Sequence, residues 1–196
     1  MSPALNQLSN PLRLWTIQKF EAWAQFQRTG VLRGDGRRVW RVFLPAYRWM
    51  RERMQKQLPG YSGGYPVWLW HRPKPDLRRS GHLAKGSRAV LIEVLLPADR
   101  ILLSDFDAWH CVLNRWFLYL SEKEEKFWEA GAPKDYHLHG RLPPELEREL
   151  KASWKRIFDL RAIAGSDWTT GEQYIQAVAE EIYLFEVARV KEFIAR

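Results

Sequence analysis

Arg88-Ala89-Val90-Leu91-Ile92-Glu93-Val94-Leu95-Leu96 decides the fold class. Its aliphatic and β-branched side chains run almost without a break, it stops at the Pro97-Ala98-Asp99 turn, and it is far too short to cross a bilayer, so it reads as a buried strand. Arg100-Ile101-Leu102-Leu103 supplies another strand after the turn, and Ser104-Asp105 reads as the N-cap of a helix over Phe106–Asn114. Towards the N-terminus, Tyr65-Pro66-Val67-Trp68-Leu69-Trp70 has the aromatic and β-branched content of a strand, with both indoles on one sheet face. Leu12-Arg13-Leu14-Trp15-Thr16-Ile17 alternates apolar and polar residues and predicts the first strand. The interrupted 3/4 spacing of Phe20, Trp23, Ala24 and Phe26 then predicts a helix over Lys19–Thr29, stopped by Gly30. Val31-Leu32 leads into a Gly34-Asp35-Gly36 turn, and a strongly basic helix is expected from Val39 to about Leu58, with Pro45 at its first turn or at a break.

Towards the C-terminus, the Glu-rich stretch 121–130 predicts a surface helix and Asp135–Pro144 a loop. Pro144–Asp159 is an amphipathic helix with Leu146, Leu150, Trp154, Ile157 and Phe158 inward. Tyr174–Ala179 and Phe185–Ile194 read as two last strands, with helical periodicity as the competitor. The fold class is therefore α+β: a single domain over 1–196, with a curved mixed or mostly antiparallel sheet flanked by helices, and 121–160 as a helical insertion or subdomain. Residues 71–87 carry His71, Arg72, Lys74, Arg78, Arg79, His82 and Lys85 among Pro and Gly and form a basic loop.

A chain of 196 residues that is 46% apolar can bury one sizeable core. Its charge is uneven: residues 1–100 carry 18 Lys+Arg against 6 Asp+Glu, a net +12, whereas the remainder carries 13 against 17, a net −4. The basic half is either a solvated face or a site for phosphate, nucleotide or nucleic acid. Eleven tryptophans are spread along the whole chain, so most belong to packing rather than to one platform. Cys111 is the only cysteine, which excludes an internal disulfide and a multi-cysteine zinc site and fits a reducing compartment. With no leader-like opening and no apolar run long enough for a bilayer, a cytoplasmic protein without a membrane partner is expected. P-loop and Rossmann glycine patterns are both missing from the sequence. Asp105 and Asp107 at a strand-to-helix junction read as a cap and a first-turn charge before they read as a metal pair. His137-x-His139 offers two imidazoles without a defined third ligand, so no metal is predicted.

Leu14-Trp15-Thr16-Ile17-Gln18, Ala46-Tyr47-Arg48-Trp49-Met50, Tyr65-Pro66-Val67-Trp68-Leu69-Trp70 and Leu102-Leu103-Ser104-Asp105-Phe106-Asp107-Ala108-Trp109-His110 together resemble an uncharacterised family of prokaryotic domains of unknown function, over nearly the full chain. At the level of fold, the opening strand, helix, Gly-Val-Leu turn and aromatic helix also resemble ADP-ribosyltransferase-like domains. That resemblance implies NAD as cofactor, Trp15 or Thr16 at the first-strand position that holds His or Arg in those enzymes, Tyr47 as the ring that stacks on nicotinamide, and Glu181 as the late-strand catalytic carboxylate, with Glu180 and Glu186 as competitors. This chain departs from the pattern in lacking the first-strand His.

An alternative from the residues themselves is a non-enzymatic domain that binds RNA or single-stranded DNA. Arg37, Arg38, Arg41, Arg72, Arg78 and Arg79 would meet phosphates while Trp68 or Trp70 stacks on an unpaired base. The transferase reading requires Trp15, Tyr47 and Glu181 in one pocket. The nucleic-acid reading requires a continuous basic groove beside Trp68 and Trp70.

Overall fold

The computed structural model describes residues 11–138, 141–167 and 171–196. Strand β1 (Leu12–Lys19) passes directly into helix α1 (Phe20–Thr29), which ends at Gly30 in the left-handed conformation that a residue without Cβ adopts at least cost. A short strand β2 (Val31–Arg33) and two 3-10 turns lead to helix α2 (Leu44–Gln57). The helix expected from Val39 thus begins five residues later, because Pro45 has no N–H to give and belongs in a first turn. Strands β3 (Val67–Arg72), β4 (Arg88–Leu96) and β5 (Leu102–Asp105) follow, then helices α3 (Phe106–Leu113), α4 (Glu122–Gly131), α5 (Pro144–Ser153) and α6 (Leu160–Ala164). Asp105 caps α3 by accepting from the Ala108 N–H at 2.8 Å, so the Asp105–Asp107 pair is a helix start. The long helix expected over Pro144–Asp159 stops at Ser153 and tightens into a 3-10 segment through Phe158. Strands β6 (Ile175–Ala179), β7 (Glu181–Tyr183) and β8 (Val187–Ile194) complete the chain.

Six strands form one antiparallel sheet in the order β5-β6-β3-β1-β4-β8, and β2 pairs with β7 in a separate two-stranded ribbon. This is the α+β sheet the sequence implies, antiparallel throughout. Two cores lie against it. On one face, Leu14, Val90, Ile92, Val94, Val67, Leu69 and Ala177 pack against Phe26 of α1 and Ile182 of β7. On the other, Leu102 and Val178 pack under a helical layer built from Trp49, Met50 and Met54 of α2, Trp109 and Val112 of α3, and Leu150, Trp154 and Ile157. Trp128 and Leu142 belong to that same core.

The central seam of the sheet is open. β1 pairs with β4 along its whole length, from Leu12↔Leu96 to Lys19↔Ala89, but it is in register with β3 at Trp15↔Trp70 alone. Continued pairing would set Thr16 opposite Leu69, Ile17 opposite Trp68 and Gln18 opposite Val67. Those six residues instead line a cleft. The sheet is two three-stranded halves, β5-β6-β3 and β1-β4-β8, joined at one rung.

Candidate functional site: a cleft at the open seam

The cleft has a volume of about 840 Å³, within the range of roughly 300–1,000 Å³ typical of ligand sites. The β1 and β3 seam forms its floor, α1 and β2 one wall, and Tyr47, Tyr65, Phe106 and Trp109 the other; Arg37, Arg38 and His82 stand at the rim. Its aromatic wall is built by contact. Trp68 lies 4.9 Å from Trp109, Tyr47 meets both rings edge-on at 6.1 and 6.0 Å, and Trp70 packs on Phe106 at 4.8 Å. Burial raises the pKa of the Tyr47 phenol, with the adjacent Trp68 indole pulling it partly back, so Tyr47 is a neutral donor at physiological pH.

Tyr65 is held from several sides. A Cβ on Gly34 would stand 2.5 Å from the Tyr65 carbonyl oxygen, and one on Gly36 would enter the Tyr65 ring, so both glycines are needed for this approach. Arg51 lies over the same ring at 4.7 Å and also bonds the Gly63 carbonyl. Glu180 accepts from the Ser62 N–H at 2.8 Å, the Ser62 hydroxyl at 2.7 Å and the Gly64 N–H at 2.6 Å. Burial raises the Glu180 pKa, but these donors and the nearby Arg33 outweigh it and leave the carboxyl below its ordinary value.

Polar groups converge on the floor. Gln176, 5% exposed, stands beside Trp70 in register and lines the cleft, and its side-chain amide nitrogen has no hydrogen-bond partner among the described residues. The Trp68 indole N–H beside Tyr47 is likewise without a well-formed bond. Thr16 accepts from Gln18 at 2.8 Å. The His110 ring meets the Phe106 carbonyl through Nδ1 at 3.0 Å, which makes Nδ1 the donor of that bond. At the rim, Asp35 pairs with Arg37 at 3.0 Å and with Arg38 at 3.7 Å, and the hydrogen bond from Arg37 lowers the Asp35 pKa. One carboxylate between two guanidiniums leaves one net positive charge there.

The structure brings together Thr16, Tyr47, Trp68, Trp70, Arg37 and Arg38, which the sequence had distributed between two different functional readings. It does not bring Trp15, Tyr47 and Glu181 into one pocket. Trp15 is on the strand face opposite Thr16, with its indole N–H on Glu93 at 3.1 Å. Glu181 sits in the β2–β7 ribbon, where it pairs with Arg33 at 2.6 Å and accepts from the Tyr183 hydroxyl, and it borders a separate small hollow with Arg100 and Glu180. Glu186, the other competitor, is buried against Arg100. Arg41 and Arg72 are exposed and outside the cleft lining; Arg78 is forked onto Asp76, and the Arg79 N–H bonds the Asp76 carbonyl. His139 of the His137-x-His139 pair lies outside the described residues, and no group of three His, Cys, Asp or Glu suited to a metal occurs among those described. No helix among the described residues is long and apolar enough to cross a membrane. Sequence reasoning passed over Gln176 and Tyr65. A lone amide inside Ile175-Gln176-Ala177-Val178-Ala179 is the signal that could have found the first.

The fold and site define an α+β domain with a ligand-sized cleft at a split antiparallel sheet. Residues 13–186 match the family described as Domain of unknown function (DUF3841), and the chain belongs to that family. No curated protein and no solved structure matches it.

Proposed function

We propose that the cleft binds a nucleotide, with NAD the first candidate, and that the protein works as a binding domain rather than as an ADP-ribosyl transferase. The observation that carries this reading is the open seam, where β1 and β3 separate after Trp15↔Trp70 and their edges face the cleft. Strand edges without a ladder partner offer alternating N–H and C=O groups, which suit the amide of nicotinamide or the edge of adenine. The aromatic wall supplies the face on which a planar ring packs, and Arg37 and Arg38 in the same lining supply charged donors for phosphates. The unpartnered Gln176 amide adds a directed donor on the floor.

Transfer chemistry would need a fixed carboxylate beside the ribose to stabilise the developing positive charge. Asp35 is the one carboxylate in the lining among the described residues, and it is engaged by two arginines. Glu181 is outside the lining. The test is a thermal-shift titration with NAD, ADP-ribose and AMP, because a ligand selective for the native state raises its midpoint. A saturable shift is expected, weakened by Arg37→Gln with Arg38→Gln and untouched by Glu181→Gln. No shift with any of the three would end the nucleotide reading, and loss of binding in Glu181→Gln would return that residue to the site.

A further inference from the structure

The half-sheet β1-β4-β8 has one face that the helical layer does not reach. α1 packs on its other face, and α2, α3 and α5 belong to the core over β5 and β6. The register sets Trp15 beside Glu93, Glu93 beside Arg189, and Leu91 beside Lys191, so all five project to the open face. A depression of about 140 Å³ lies among Trp15, Lys74, Leu91, Glu93, Arg189 and Lys191.

The charges in that depression are unbalanced in a specific way. Both oxygens of Glu93 are engaged, Oε2 by the Trp15 indole N–H and Oε1 by Arg13 at 3.1 Å. That bond fixes the indole in orientation. Lys74 stands over its ring at 5.5 Å, a weak contact for an exposed cation. Among the described residues, no carboxylate pairs with Lys74, Arg189 or Lys191. An oriented aromatic ring on an open strand face, ringed by three cations that form no ion pair among the described residues, has the elements that bind a polyanion bearing planar bases.

We propose that this face binds single-stranded nucleic acid, one base stacking on Trp15 in the place of Lys74 and the flanking phosphates meeting Lys74, Arg189 and Lys191. An acidic peptide would satisfy the cations and leave the indole unused. The surface adjoins the cleft through Trp15↔Trp70, since Trp70 lines that cleft, but the proposal does not depend on the cleft's ligand.

The experiment is fluorescence anisotropy of a labelled oligouridylate of about 12 nucleotides with the full chain, between roughly 50 and 200 mM salt. Binding is expected to weaken steeply with salt. Arg189→Gln with Lys191→Gln should lower the logarithmic slope by about 1.4, or about 0.7 for each phosphate contact removed. Trp15→Leu should weaken binding about tenfold. An unchanged thermal midpoint in the exposed Arg189→Gln/Lys191→Gln variant separates lost contact from lost fold. Arg37→Gln with Arg38→Gln should leave oligonucleotide binding intact while weakening the nucleotide shift. The proposal is overturned by no binding at the lowest salt, by equal competition from polyglutamate of matched charge, or by binding that survives the β8 changes and disappears with those at the cleft rim.

Discussion

The two halves of the sheet share one rung and live in different surroundings. β5-β6-β3 is covered by a helical layer with an aromatic core, and its strands carry residues such as Val178 and Ala177 that no solvent reaches. β1-β4-β8 has α1 on one face and long basic side chains over the other, where Leu91 is nonetheless buried. The stems of Arg189 and Lys191 cover apolar surface there while their charges remain in water. Both halves bury apolar side chains completely, Val178 in one and Ile92 in the other, but unpaired positive charge gathers on the open face of β1-β4-β8, and the site forms at the boundary where neither environment closes the seam.

The sharpest way to break this contrast is to change one side chain in the covering layer and one on the open face. Leu150→Ala, in the helical-layer core, is expected to cost about 2–5 kcal/mol in urea unfolding, whereas Arg189→Gln should stay within about 0.5 kcal/mol. Comparable costs would mean that the open face is packed as tightly as the helical layer. Gly34→Ala should cost about 1–3 kcal/mol, because the new methyl meets the carbonyl oxygens of Tyr65 and Pro66 at 2.5 and 2.6 Å, and backbone cannot swing aside as a side chain can. The same variant should weaken the response to nucleotide by moving the Tyr65 wall; unimpaired binding would detach that wall from the site.

A pH experiment sharpens the role of Glu180. Its pKa in the folded protein lies below the ordinary 4.5, so its hydrogen bonds to Ser62 and Gly64 stabilise the fold above that value and are lost as pH falls through the folded-state value. Glu180→Gln should therefore cost about 1–2 kcal/mol at pH 7, with the gap to the parent protein closing below about pH 4.5. A gap independent of pH would show that the carboxylate charge is not what holds the Tyr65 loop. The smallest expected effect is at Cys111. Burial pushes its thiol up to about 12, so a thiol reagent at pH 8 should label it only as fast as the helical layer opens. Rapid labelling of the folded protein would show that this layer is looser than its packing implies.

The fold was legible where a pattern is local and long. β4 announces itself by a continuous aliphatic run, β1 by alternation, and α3 by its Asp105 cap. The three-residue strands β2 and β7 were not, since periodicity needs more positions than they have, and their pairing places Arg33 against Glu181 across a large separation in sequence. The site was legible in its parts. Thr16, Tyr47, Trp68, Trp70, Arg37 and Arg38 could each be picked out, but their union depends on where β1 leaves β3, a tertiary event that leaves no trace in either strand's own residues. Trp15 and Thr16 show the same limit. Adjacent on a strand, they face opposite ways, and pairing alone decides which of them meets the cleft.

The central claim is that the seam is open in the free protein and is occupied by ligand. Hydrogen exchange of the amides in residues 16–18 and 67–69 that point away from β4 and β6 tests it most directly. They should exchange rapidly in the free protein, for want of a ladder partner, and become protected on saturation with NAD. Strong protection before any ligand is added, or exchange that NAD does not alter, would contradict the account.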